Sequence, residues 1–337
     1  MVREMSSIIT LGEIMARFST DKGTPLSQAN QLLVHYGGSE ANVAVSLANF
    51  GHDVSFASFL PENPLGLGAK RYIESFGVST RMVTFRGERL GTYYLETGAG
   101  VRKPNVVYDR AHSSFSTAKE LPWSFDELFE GRDLFHITGI TTALSQNWLS
   151  LVVTLLEEAK KRNVTTSFDI NYRTKLWSQE ECGNALKKIL PYIDILSAGI
   201  LDAKYLMGIE LQEYTLENVY AEILKGYPNI EVIYSTNRTV YTSEHNSLVG
   251  NIYRKGRLTT SKLFDIPNII DRVGGGDAFT AGVLHKYVTA QDEDDIELIN
   301  FATAASVLKH TISGDMSLFS FREVEEFVKH TSNEISR

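Results

Sequence analysis

Six short β-rich runs punctuate the chain, at residues 8–11, 54–59, 134–138, 165–169, 194–197 and 232–235. They read as strands that could be buried on both faces, the pattern of a parallel sheet covered on both sides. Between two of them Leu149, Val152, Val153, Leu156 and Ala159 recur at helical spacing and end on Lys160, Lys161 and Arg162, cations suited to a helix C-terminus. That segment predicts a crossover helix. Strands alternating with helices of this length predict a doubly wound α/β domain around one central sheet. The 337 residues would allow two domains, but α/β chains often use this length on one sheet plus an insertion. The expected organisation is one domain over 1–337, with no internal repeat and no low-complexity linker.

Two segments break the rhythm. Residues 13–36 and 88–111 are rich in Thr, Tyr, Ser and Gly, and residues 92–97 and 105–108 read as two strands around a Gly-rich turn. They suit a small hairpin sheet lying as a flap over the strand ends, where α/β sheets bind ligands. Strand alternation lets only one of Tyr93 and Tyr94 face such a ligand.

Charge and composition exclude several functions. With 33 basic against 41 acidic side chains the net charge is −8, leaving no broad cationic surface to neutralise a phosphate backbone, so no nucleic-acid partner is expected. The one cysteine, Cys182, rules out an internal disulfide and a Cys-rich metal site. No His pair has HxxxH or HExxH spacing, which argues against a zinc centre built by the protein. The N-terminal apolar run is broken by Glu13 and Arg17, too short for a secretory leader, and later runs such as 149–156 fall below the roughly 18 residues of a membrane span. A cytoplasmic protein without membrane attachment is expected.

The strongest chemical signal is Asp271-Arg272-Val273-Gly274-Gly275-Gly276-Asp277-Ala278-Phe279, followed by a helical pattern through Gly282, Val283, Leu284 and Val288. Glycines let backbone N–H groups approach a ligand, and a helix N-terminus adds partial positive charge, so phosphate is the natural guest. Asp277, just inside that helix, would repel a phosphate unless its task is to take a proton from an attacking hydroxyl; otherwise it is a helix cap. A second signal is Gly37-Gly38-Ser39-Glu40-Ala41-Asn42-Val43-Ala44 at another helix start, where paired glycines could admit a substrate and Asn42 could bind a polyol, or simply cap a turn. The chain lacks the GxxxxGK[ST] loop and opens no first strand–helix turn with GxGxxG.

Together these two segments resemble the paired signatures of the ribokinase-like carbohydrate kinases, the PfkB family, over nearly the whole chain. The resemblance implies a ribokinase-like three-layer fold, a mostly parallel sheet flanked by helices with a small β-lid, and transfer of the ATP γ-phosphate to a sugar or nucleoside hydroxyl. It implies Asp277 as base, Gly274, Gly275 and Gly276 as anion hole, and Asp271 near the phosphate and monovalent-cation region. Mg²⁺ would come with ATP, K⁺ is a further candidate, and lids of this family often pair chains into dimers. Arg272 stands where the family commonly has Thr, beside the nucleotide. Ser197 and Asp202 fall at the family's Asn-x-x-Glu, and Ser235, Asn237 and Arg238 on its adenine-side strand. His310, near the expected nucleotide end, reads as structural.

Finer features are similar to family members acting on 2-keto-3-deoxygluconate: GEIMARFS at the N-terminus, Tyr108-Asp109-Arg110, Phe168-Asp169-Ile170-Asn171-Tyr172-Arg173, and Gly314-Asp315. The resemblance places Gly37, Gly38, Asn42, Tyr93, Tyr108, Arg110, Arg173 and Asp315 at the sugar. An acid sugar needs cations for its carboxylate, and Arg supplies a planar donor fork. Arg110 and Arg173 would fill that need unless they form surface salt bridges. A neutral-sugar kinase such as a fructokinase, and a sugar-binding regulator on a dead kinase scaffold, are the competing readings.

Overall fold

The computed structural model describes residues 5–289 and 294–329. Its large sheet runs, edge to edge, Arg257–Thr260, Asn246–Arg254, Val232–Val240, Ile195–Ser197, Thr165–Asp169, Leu134–Thr138, Ser7–Leu11, Asp53–Leu60 and Val83–Phe85, with Phe264–Ile266 also paired to Asn246–Arg254. From Val232–Val240 to Val83–Phe85 the strands are parallel; Asn246–Arg254 pairs antiparallel with each of its three neighbours. All six expected strands are present.

Alternation within each strand explains why both faces are covered. Ile8, Val54, Phe56, Ile195 and Val232 point into one apolar cluster, with the helices Ser39–Asn49, Gly275–Thr289 and Asp295–Lys309. Ile9, Ala57, Phe59, Leu196 and Ile233 point into another, with Gln146–Lys161, Gln179–Ile189 and Leu216–Gly226. Fully burying one such side chain contributes about 1.5–3 kcal/mol, so neither helical layer is dispensable. The predicted crossover helix is Gln146–Lys161, capped by Ser145 and buried through Trp148, Val152, Leu155, Leu156 and Ala159.

The segments that broke the rhythm make a separate four-stranded sheet, in order Leu33–Gly37, Met15–Ser19, Thr92–Glu96 and Asn105–Asp109. The last two form the antiparallel pair expected around the Gly-rich turn. Cross-strand register sets His35, Arg17, Tyr93 and Tyr108 in one row, hence on one face. Tyr94 takes the opposite face and stacks on Phe18 at 5.4 Å, so of the two only Tyr93 shares the face of Arg17. Among the described residues no helix is long and apolar enough to cross a membrane.

Candidate active site

The three glycines before Asp277 are required for three different reasons. Gly274 has φ +83°, a left-handed conformation, and a Cβ there would fall 1.7 Å from the Asp315 carbonyl oxygen. At Gly275 a Cβ would meet His310 Cε1 at 2.5 Å. The buried His310 donates from Nδ1 to the Ser306 carbonyl at 2.6 Å, so it is the packing residue the sequence suggested. Only Gly276 faces open space, with nothing within 4 Å of its Cβ position. The helix Gly275–Thr289 starts here: the Gly275 N–H donates to the Arg272 carbonyl at 3.3 Å and the Ala278 N–H to that of Gly274 at 2.9 Å, which leaves the N–H groups of Gly276 and Asp277 for an anion.

Asp277, in that first turn, is held by neutral donors. Ser39 Oγ donates to Oδ1 at 2.6 Å and Asn42 Nδ2 to Oδ2 at 2.7 Å. Asn171 Nδ2 in turn donates to Ser39 Oγ at 3.0 Å. Asn42, expected on a polyol, is therefore taken up by the carboxylate, and Ser39 and Asn171 join the site although sequence reasoning had assigned them no role. Their signal was positional: Ser39 follows the paired glycines, and Asn171 lies in the quoted segment after a central strand. Burial raises the Asp277 pKa; the two hydrogen bonds and the charges of Arg173 and Lys309 oppose it. Asp169, at the end of its strand, is pushed up to about 7 by burial and then by the Asp277 charge, with Ser197 and Arg173 pulling the other way. Arg173 is exposed, and its hydrogen bonds go to two main-chain carbonyls, of Tyr172 at 3.1 Å and Asn171 at 3.4 Å.

The paired glycines admit protein rather than open space. A Cβ on Gly38 would sit 1.9 Å from the Glu13 carbonyl oxygen, and one on Gly37 2.2 Å from Asp315 Oδ1. Glu13 also takes Arg110: both Nε (2.9 Å) and Nη2 donate to its Oε2, and Ser113 donates to Oε1. Arg110, expected to stand beside Arg173 as a cation for substrate, is thus buried in an internal pair, a partner 97 residues away that no local pattern announces.

Asp315 and Tyr93 are likewise engaged with each other and with Arg17. The Tyr93 hydroxyl donates to Asp315 Oδ1, and Arg17 pairs with Asp315 at 3.0 Å and with Asp271 at 2.6 Å. Asp271 also accepts from the Val273 N–H at 3.0 Å and the Gly314 N–H at 3.1 Å. Its carboxylate therefore anchors the glycine turn to the small sheet. Burial lifts Asp315 to about 6 against the pull of Arg17.

On the expected nucleotide side, Asp202 accepts from the Gly199 N–H at 2.8 Å and so caps the helix Ile200–Tyr205. Ser235 accepts from Tyr220 at 2.6 Å. Asn237 and Arg238 are exposed on the outer half of Val232–Val240. Arg272 lies 3.3 Å from the Asn246 amide, close enough to Arg238 for the two charges to interact. Among the described residues no group of three His, Cys, Asp or Glu could hold a metal ion.

A carboxylate in the first turn of a glycine-opened helix, fixed from a second helix start at the C-terminal rim of a parallel sheet, defines a phosphotransferase of the ribokinase-like class. The chain belongs to the family of pfkB carbohydrate kinases, whose pattern matches residues 5–319, and is a sugar kinase. A 2-dehydro-3-deoxygalactonokinase of Haloferax volcanii is 30% identical over 327 residues, 96% of this chain and 97% of that one. The crystal structure of a PfkB family carbohydrate kinase from Listeria grayi is 42% identical with TM-score 0.93, covering 96% of this chain and 100% of its own. That of the 2-dehydro-3-deoxygluconokinase from Thermotoga maritima is 34% identical with TM-score 0.92, covering 96% and 98%.

Proposed function

We propose that this chain transfers the γ-phosphoryl group of ATP to the 6-hydroxyl of 2-keto-3-deoxygluconate, with the small sheet serving as lid. The observation that carries the substrate is Arg173, an exposed guanidinium bonded only to main-chain carbonyls and close enough to Asp277 to act on its charge. A carboxylate on the sugar would satisfy it, and a neutral sugar would not. The names of two relatives, both kinases of 2-keto-3-deoxy acid sugars, support the same substrate class.

In this reading Asp277 accepts the proton of the 6-hydroxyl as the sugar oxygen attacks the γ-phosphorus and ADP departs. Ser39 and Asn42 aim the carboxylate without neutralising it, and its raised pKa makes it a stronger base. The helix N-terminus, through the N–H groups of Gly276 and Asp277, faces the developing phosphoryl charge, with Gly276 leaving room for the donor. Arg272 and Arg238 serve the remaining phosphates. Tyr108, 41% exposed in the row of Arg17 and Tyr93, covers the sugar from the lid. Asp169 and Asp202, close enough for their charges to interact, would hold a Mg²⁺ brought with ATP, which would neutralise phosphate charge when bound. The test is a rate comparison across acidic and neutral sugars with ATP as donor, in which turnover of fructose alone would move the chain to a neutral-sugar kinase.

A further inference from the structure

Lys309, the last residue of the helix Asp295–Lys309, is fully buried, 0% exposed, beside the glycine turn. An ammonium there must find oxygen atoms, since an unpaired buried charge is strongly disfavoured. Its Nζ donates to the main-chain oxygens of Asp271 and Ile312, each at 3.3 Å. Burial lowers the Lys309 pKa to about 8, and the carboxylates of Asp271 and Asp315 favour its charged form. The two carbonyls belong to the two segments that frame the anion hole, also joined by Ile270 N–H to His310 O at 2.8 Å and by Gly314 N–H to Asp271. Carbonyl oxygens between two loops, backed by carboxylates, are ligands that suit an unattached K⁺ or NH₄⁺ equally well.

We propose that Lys309 is a tethered monovalent cation, whose ammonium holds the Asp271 and Ile312 segments together and so sets the anion-hole turn, making phosphoryl transfer independent of free K⁺ or NH₄⁺. It is a positioning residue, acting through the turn rather than on the reacting atoms, and the proposal rests on that turn being the phosphate site.

Rates and thermal unfolding would be measured for wild type, Lys309→Ala and Lys309→Met in tetramethylammonium buffer, with and without added KCl or NH₄Cl. Wild type should change less than about twofold, whereas Lys309→Ala should fall roughly a hundredfold, the scale of a misplaced site. Added K⁺ or NH₄⁺ should restore at least about a tenth of that rate and raise the melting temperature of Lys309→Ala alone, because an ion that binds the folded state stabilises it. Lys309→Met, whose side chain refills the space, should stay slow in every salt. A wild type that needs added K⁺, or either variant running at the wild-type rate in tetramethylammonium, overturns the proposal. Absence of kinase activity in wild type under all salts would instead overturn the phosphotransferase reading beneath it.

Discussion

Two groups of carboxylates flank the glycine turn, and the protein meets them in opposite ways. Asp271 and Asp315 share Arg17, with Lys309 at hand, so a buried cation stands against each acid. Asp277 is bonded instead by a hydroxyl and an amide, and its acidic neighbour Asp169 has a strongly raised pKa. Charge-matched pairing makes a rigid joint between the small sheet and the turn. Neutral hydrogen bonding aims a carboxylate and leaves it basic, which is what proton abstraction requires. The comparison predicts that the first group governs folding and the setting of the turn, and the second the proton transfer itself.

The largest effect should follow from Asp277→Asn, with kcat falling by roughly 10²–10⁴ while unfolding and sugar affinity stay near wild type. A variant retaining more than about a tenth of kcat would remove the distinction, since Asp277 would then be no more than a cap. Arg17→Met should do the reverse, costing about 3–5 kcal/mol of stability by leaving Asp271 and Asp315 without their shared cation. Denaturant unfolding measures it, and a loss below about 1 kcal/mol would show that the joint is held elsewhere.

The arginines sharpen the same contrast. Arg173→Met should cost kcat/KM for the acid sugar about 1.5–3 kcal/mol and scarcely touch fructose. Arg110→Met should lower stability and both substrates alike, because it strands the buried Glu13 carboxylate. Equal selectivity losses in the two variants would mean that Arg110 leaves Glu13 to bind substrate.

The smallest effect concerns pH. The folded-state pKa of Asp169, about 7, lies above its ordinary value of 3.8, so the folded chain holds that proton more tightly and stability falls as pH rises from about 4 to about 7. Asp169→Asn removes this loss: the variant should unfold at a higher temperature than wild type at pH 8, with the gain vanishing near pH 4. A gain that persists unchanged at pH 4 would assign it to packing rather than to charge.

The parallel sheet was legible because most central strands carry β-rich runs apolar on both faces, and the small sheet because its runs, rich in Thr, Tyr, Ser and Gly, were not. Asn246–Arg254 escaped notice since Asn246, Ser247, Gly250 and Asn251 interrupt it, yet all but Gly250 are buried polar residues, and Gly250 packs against Thr303 and Phe279. Asp277 and its glycines were readable because helix start, glycine and acid are adjacent in the chain. The partners were not: Arg17 finds Asp271 across 254 positions and Ser39 finds Asp277 across 238, distances over which no periodicity survives. Lys309 ends a helix, an ordinary place for a cation, and only the fold brings the Asp271 carbonyl to it.

The central claim is that an aimed, basic Asp277 faces a cation able to hold an acid sugar, and initial-rate phosphorylation with ATP tests it most directly. The measurement compares kcat/KM for 2-keto-3-deoxygluconate, its 2-keto-3-deoxygalactonate epimer and fructose. The account predicts that the two acid sugars exceed fructose by about tenfold to a hundredfold, the equivalent of one charge-assisted contact. Preference for fructose, or sugar binding without turnover of any of the three, would contradict it.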